Sequence, residues 1–194
     1  METIVLKTDA LSMTDDEFFM FCQENDTLNL ERDSKGNIYI MAPTGLFTSY
    51  HNNDLSGQLR DWNRKHKKGY TFDSNAGFTL PNNAVRSPDG AWIEKSRFEA
   101  LSIEDREKFA PICPDFIFEL KSNSDTLKVL VDKMNEWVEN GCKLAWLIDR
   151  DSKNIHIFKP GENVVIKTFD QEIHGEDILS GFVLDLSILN NNNI

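Results

Sequence analysis

Residues 113–148 read as strand, helix, strand, and that order restricts the fold more than any other stretch of the chain. Cys113-Pro-Asp-Phe-Ile-Phe-Glu119-Leu-Lys121 is an apolar run that ends in charge, and Leu144–Ile148 is a second apolar run of the buried-strand type. Between them Leu127, Leu130, Val131, Met134 and Val138 fall on one helical stripe, with Asp125 placed to cap its start and Asn140-Gly141 to stop it. Two strands joined by a helical crossover lie parallel, with the helix covering one face. The rest of the sheet has to be built around that unit.

Upstream, Thr14-Asp-Asp-Glu17 has the form of a capping box before a helix reaching about Gln23. Strand-like runs at Leu28–Glu31 and Asn37–Met41 flank the turn Asp33-Ser-Lys-Gly36, and Pro43-Thr-Gly45 breaks the pattern. A long helix is expected from about Thr48 to His66, with Leu55, Leu59 and Trp62 on one side. Tyr70–Asp73 and Gly77–Leu80 read as paired strands of a meander, and Arg86–Ile93 as another strand. Residues 95–111 form a charged excursion with one short helix, and Ile155–Phe158 and Val164–Phe169 a hairpin around Pro160-Gly161. The fold class expected is α/β, a mixed central β-sheet flanked by helices. It forms a single domain over 1–194, with a polar tail at Asn190–Asn193.

Within the apolar strand, side chains alternate, so Glu119 and Lys121 share one face while Phe116, Phe118 and Leu120 take the other. Burying a carboxylate and an ammonium is costly unless something compensates them, and a metal-dependent phosphodiesterase site would. Asp33-Ser-Lys35 and Asp151-Ser-Lys153 repeat the acid-x-lysine triplet, but in turn-like surroundings that make them solvated loop charges. A magnesium site needs a second carboxylate. Asp115 is four residues from Glu119, roughly 13 Å along a strand, too far to share an ion. Asp89 begins a neighbouring strand that sheet pairing can bring beside Glu119; read locally it is a turn aspartate in Pro-Asp-Gly.

Several residue types resist a functional role. Glu31 reads locally as a hairpin charge, Lys133 as a solvated helix lysine, and His51 has no metal-type neighbour in sequence. Trp62, Trp92, Trp137 and Trp146 read as packing. Cys22, Cys113 and Cys142 have no paired spacing, which argues for reduced cysteines in a cytoplasmic protein. No apolar run is long enough for a bilayer, and the N-terminal residues do not resemble a signal peptide, so no membrane partner is expected. Thirty-two acids against 21 Lys+Arg leave a net charge of −11, so strong nonspecific nucleic-acid binding is not expected. The basic cluster at Arg60–Lys68 ends a helix, where it complements the dipole.

Pro88-Asp89 followed by Glu119-Leu-Lys121 resembles the signature of the PD-(D/E)XK nuclease superfamily. An ordered series across the chain resembles the Uma-two family of restriction-endonuclease-like proteins. It comprises Met13–Phe18, Glu31, Met41-Ala-Pro43, Arg86-Ser-Pro88-Asp89, Cys113–Asp125, Lys133, Gly141, Trp146–Asp149 and Leu179–Phe182. The resemblance implies a restriction-endonuclease-like core and Mg²⁺- or Mn²⁺-dependent cleavage of nucleic acid, DNA in the first instance, bound weakly or transiently. It implies that Asp89, Glu119 and the Leu120 carbonyl hold the metal, that Lys121 assists the attacking water, and that Glu31 and Lys133 support them. Asn123, Arg150 and Trp137 depart from the family pattern, in which proline, proline and tyrosine are common. A homodimer fits a double-strand cut, although no interface is legible. The alternative is a catalytically silent nuclease-fold protein acting as a binding or regulatory module.

Overall fold

The computed structural model describes residues 4–7, 13–123 and 125–190. In chain order the elements begin with β1 (Ile4–Leu6), α1 (Asp15–Glu24), β2 (Asn29–Arg32), β3 (Ile38–Met41) and α2 (Leu46–His66). Next come β4 (Gly69–Asp73), β5 (Phe78–Thr79), β6 (Val85–Arg86), β7 (Gly90–Glu94), α3 (Lys95–Glu99) and α4 (Ile103–Arg106). β8 (Phe116–Lys121), α5 (Leu127–Glu139) and β9 (Leu144–Asp149) follow. The chain ends in β10 (Asn154–Phe158), β11 (Val165–Thr168), β12 (Ile173–His174), β13 (Val183–Leu184) and α6 (Ser187–Asn190). Residues 191–193 of the polar tail lie outside the described residues.

A six-stranded sheet, ordered β11-β10-β9-β8-β7-β4, forms the centre. β8 and β9 run parallel and the other neighbours antiparallel, so the sheet is mixed and β8-α5-β9 is the expected crossover unit. Strand alternation separates two cores. Phe116, Phe118, Leu120, Trp146 and Ile148 pack against Leu55, Leu59 and Trp62 of α2. Ile117, Ala145 and Leu147 pack on the other face against Met134 and Trp137 of α5. All four tryptophans are buried, each contributing apolar burial worth about 1.5–3 kcal/mol or more. Asn140 and Gly141 end α5 as expected, Gly141 taking φ +112, where a side chain would be strained.

A second sheet, β1-β3-β2-β6-β5, carries α1 on it through Phe18, which packs with Leu30, Ile38 and Val85. The capping box of α1 is present: Glu17 N donates to Thr14 Oγ1 at 3.2 Å and Thr14 N to Glu17 Oε2 at 2.8 Å. Three local expectations are corrected. β4 pairs with β7 in the large sheet and β5 with β6 in the small one, so Tyr70–Asp73 and Gly77–Leu80 are not partners and no simple meander forms. Between them Asp73 closes a turn onto Asn75 and Ala76, and Gly77 lies so close to the Phe109 ring that the chain is led into the other sheet. Asp125 does not cap α5: Thr126 is the N-cap residue, while Asp125 Oδ2 accepts from Ser122 N and Oγ at 2.8 and 2.7 Å. The excursion at 95–111 holds two short helices, because Ser102 starts α4 by accepting from Asp105 N at 3.0 Å.

Candidate active site

The chain passes from the small sheet to the large one across Ser87, Pro88 and Asp89, between β6 and β7. A proline is tolerated there because no ladder hydrogen bond is required of it. The pairing Gly90↔Phe118 sets Asp89 opposite Glu119. Gly90 makes the approach possible, since a Cβ there would lie 2.2 Å from the Phe118 ring. Asp89 is then held on both oxygens. The Leu120 amide donates to Oδ2 at 2.7 Å, and Asn52 Nδ2, from α2, donates to Oδ1 at 2.6 Å.

Glu119 lies on the α5 side of β8 and is 7% exposed. Lys133 Nζ, from α5, comes within 2.8 Å of Glu119 Oε1 and 2.9 Å of Glu31 Oε1. Glu31, on β2 and 3% exposed, also accepts from Ser87 N at 3.0 Å and Arg86 Nη1 at 3.1 Å. Arg86 Nε reaches Glu136 Oε2 at 2.6 Å. Charge therefore alternates along Glu119, Lys133, Glu31, Arg86 and Glu136, from the central sheet through α5 to the second sheet and back to α5.

These groups titrate away from their ordinary values for identifiable reasons. Burial pushes Glu119 up to about 8, with the Asp89 and Glu31 charges adding and Lys133 opposing. Burial also raises Asp89, against the Leu120 amide and the Lys133 charge. Burial would raise Glu31 too, but the Lys133 and Arg86 charges overcome it and the carboxyl is held low. Burial would lower Lys133, yet the Glu119 and Glu31 charges raise it, so this ammonium stays protonated. The Glu119–Lys133 contact is one of charge: Glu119 Oε1 is buried without a hydrogen-bond donor in line. A desolvated carboxylate oxygen facing two further carboxylates favours an added cation.

Lys121 shares the Glu119 face, as the strand period requires, but its ammonium turns to the end of β9. It meets Asp151 Oδ2 at 2.6 Å and Asp149 Oδ1 at 3.4 Å, following the register Lys121↔Asp149. Asp151 is therefore a partner to Lys121 as well as a loop charge. Lys133 is drawn inward from the position where helical spacing leaves a solvated lysine. Asp115, just before β8, is a structural acid held by Arg97 at 2.7 Å, Lys143 at 2.8 Å and Glu94 N at 2.8 Å. The contacts made by Asn52, Arg86 and Glu136 carried no sequence signal beyond Arg86 lying near Pro88-Asp89, because each depends on pairing between distant elements.

Among the described residues no three His, Cys, Asp or Glu side chains converge as a ready metal cage. Asp89 and Glu119 are the pair that fits a hard cation, which takes one or two carboxylates and keeps waters or substrate oxygens for the remaining positions. The Leu120 carbonyl points to the same side on strand geometry, because a residue's N–H and C=O face the same neighbour and this N–H faces Asp89. A cavity of about 330 Å³ lies at the opposite end of these strands, beside Glu94, Asp115 and Lys143. Asp115 there already has two cations to itself, Arg97 and Lys143, whereas at the other end the single ammonium of Lys133 is shared between Glu119 and Glu31.

The family model described as "Uma2: Putative restriction endonuclease" matches residues 15–187. Among solved structures, the crystal structure of "a putative nuclease belonging to DUF820" from Anabaena variabilis superposes with a TM-score of 0.72. It is 17% identical in sequence, and the match covers 92% of this chain and 97% of that one. At that identity the likeness concerns the fold, and it bears out the expected mixed α/β class. Comparison with curated proteins returned no match.

Proposed function

This chain belongs to the Uma2 family, described as putative restriction endonucleases, and we propose that it is a metal-dependent endonuclease hydrolysing nucleic-acid phosphodiester bonds. The observation that carries the proposal is the buried Glu119 carboxylate, set beside Asp89 and Glu31, with Lys133 shared between Glu119 and Glu31 and Arg86 on Glu31 alone. Asp89 and Glu119, with the Leu120 carbonyl, would hold Mg²⁺ or Mn²⁺. Such an ion supplies Lewis-acid polarisation of a phosphoryl oxygen. Asn52 and the Leu120 amide keep Asp89 in a fixed direction. Lys133 takes the part that the acid-x-lysine spacing assigns to Lys121. Its raised pKa makes it a fixed positive charge beside phosphate charge that develops in the transition state, not a base. Glu31 positions Lys133, and Arg86 positions Glu31. Lys121, tied to Asp149 and Asp151, steadies the β8–β9 end instead.

DNA is the substrate we favour, acted on by a single domain over 1–194; a homodimer would bring two sites to one duplex. A silent binding module is the second function to weigh, supported by the net charge of −11, which disfavours tight nucleic-acid contact. Titration calorimetry with Mn²⁺ separates the two. Wild type is expected to give a saturable heat that Glu119→Ala abolishes. Equal heats from both proteins, or none from either, would favour the silent module.

A further inference from the structure

Arg150 follows β9 and stands where its charge is not spent inside the protein. Among the described residues no hydrogen bond or ion pair reaches its guanidinium, and its Nε is buried without an acceptor. The acids on either side do not serve it. Asp149 and Asp151 are both taken by Lys121, at 3.4 and 2.6 Å, and Asp149 Oδ1 also accepts from the Asp151 and Ser152 amides at 3.1 and 3.4 Å. In a chain of 32 acids and 21 Lys+Arg, a half-buried arginine without a carboxylate partner is an anomaly. A desolvated donor left unmade is costly, and the cost is lifted by a ligand that brings acceptor oxygens.

Its neighbours say what that ligand is. Trp146 and Ile148 of β9 face α2, and Arg150 lies in the turn that follows the strand, within electrostatic reach of that helix. Its charge acts on His51 of α2, whose pKa burial and then Arg150 depress. His51 adjoins Asn52, the residue that holds Asp89. Phe47 and Tyr50 pack on His51 with ring centroids at 6.3 and 5.3 Å, yet remain 52% and 44% exposed. A forked cation and two solvent-facing rings thus lie on one side of the acid pair. Guanidinium recognises phosphate oxygens in a bidentate fashion, and exposed rings accept bases whatever their sequence.

We propose that Arg150, Phe47 and Tyr50 form a nucleotide subsite beside the acid pair, Arg150 receiving a backbone phosphate of the substrate strand and the rings an unpaired base. The subsite rests on the nuclease function proposed above. It is tested by anisotropy titration of a labelled, phosphorothioate-linked single-stranded oligonucleotide in Mn²⁺ over a range of salt, with thermal unfolding of each protein alongside. Arg150→Met is expected to weaken binding about tenfold and to flatten the salt dependence by about 0.7 in log–log slope, one phosphate's worth. Its melting temperature should stay level or rise, since an unsatisfied donor is removed. The double variant Phe47→Ala/Tyr50→Ala should weaken binding about tenfold with the slope unchanged. Lys128→Ala, an exposed charge on α5, should change neither quantity. An Arg150→Met protein with wild-type affinity and slope overturns the subsite, as does one whose binding falls only together with its melting temperature. If wild type still nicks plasmid in Mn²⁺ under either result, the nuclease function stands and the subsite alone is lost. Wild type that neither binds nor cleaves nucleic acid removes both.

Discussion

Glu119 is held under electrostatic tension, and its pH behaviour follows from that. Burial lifts its carboxyl from the ordinary 4.5 to about 8. Between those values the unfolded chain has released the proton and the folded one has kept it. The folded state therefore binds more protons, and stability of the metal-free protein falls as pH rises from about 4.5 to about 8, then levels. Glu119→Gln removes the titration. Thermal unfolding in EDTA from pH 5 to 9 should show the variant gaining on wild type as pH rises, by about 2–4 °C for each kcal/mol of relief; parallel profiles would contradict the assignment of strain to Glu119. Lys133 and Lys121 separate at the same scale. Lys133→Met should lower the cleavage rate by about 10²–10³, the magnitude of a lost transition-state contact, while Lys121→Met should leave the rate within a few fold and lower the melting temperature. The reverse ranking in single-turnover cleavage would return the role to Lys121. Spacing made the shared face of Glu119 and Lys121 legible. It could not show which lysine reaches the acids, because Lys133 meets Glu31 only after β2 has folded against α5.

At the scale of elements, what could be read was what repeats locally. The periods of β8, α5 and β9 named the parallel crossover, and α2 was found from Leu55, Leu59 and Trp62. The β5–β6 pairing of the small sheet was hidden for a physical reason. β5 and β6 have two residues each, Phe78–Thr79 and Val85–Arg86, too few to establish a period, and their pairing is set by the Gly77–Phe109 contact and by β2. That sheet delivers Glu31, whose hairpin was legible but whose contact with Lys133 was not, since it depends on β2 lying against α5. The β7–β8 pair is where element geometry governs chemistry. Gly90→Ala would drive a methyl into Phe118 and push β7 away from β8, moving Asp89 off the Leu120 amide. A loss of about 1–3 kcal/mol in stability is expected, with cleavage falling further than the folded fraction does. Denaturant melts run beside activity assays check this, and unchanged activity in folded Gly90→Ala would show that Asp89 tolerates displacement.

For the whole molecule, the problem is to bring a polyanion to a protein of net charge −11. The described residues include no helix long and apolar enough to cross a membrane. The basic run Arg60–Lys68 ends α2, and Lys67 and Lys68 line the cavity at the far end of the sheet from the acid pair. On the proposed function and subsite, the charge that meets substrate is therefore local: Lys133 from within the protein, Arg150 at the rim, and the divalent ion. Composition announced the acidity, and only the fold shows that acids concentrate where an added cation would offset them. On the proposed function, metal dependence follows from the electrostatics as well as from the chemistry. The most direct test is nicking of supercoiled plasmid in Mn²⁺ by wild type and by Asp89→Ala, each with and without EDTA. Nicking by wild type alone, abolished by EDTA, is the predicted result. Equal nicking by Asp89→Ala, or nicking that survives EDTA, would contradict a metal site built on Asp89 and Glu119.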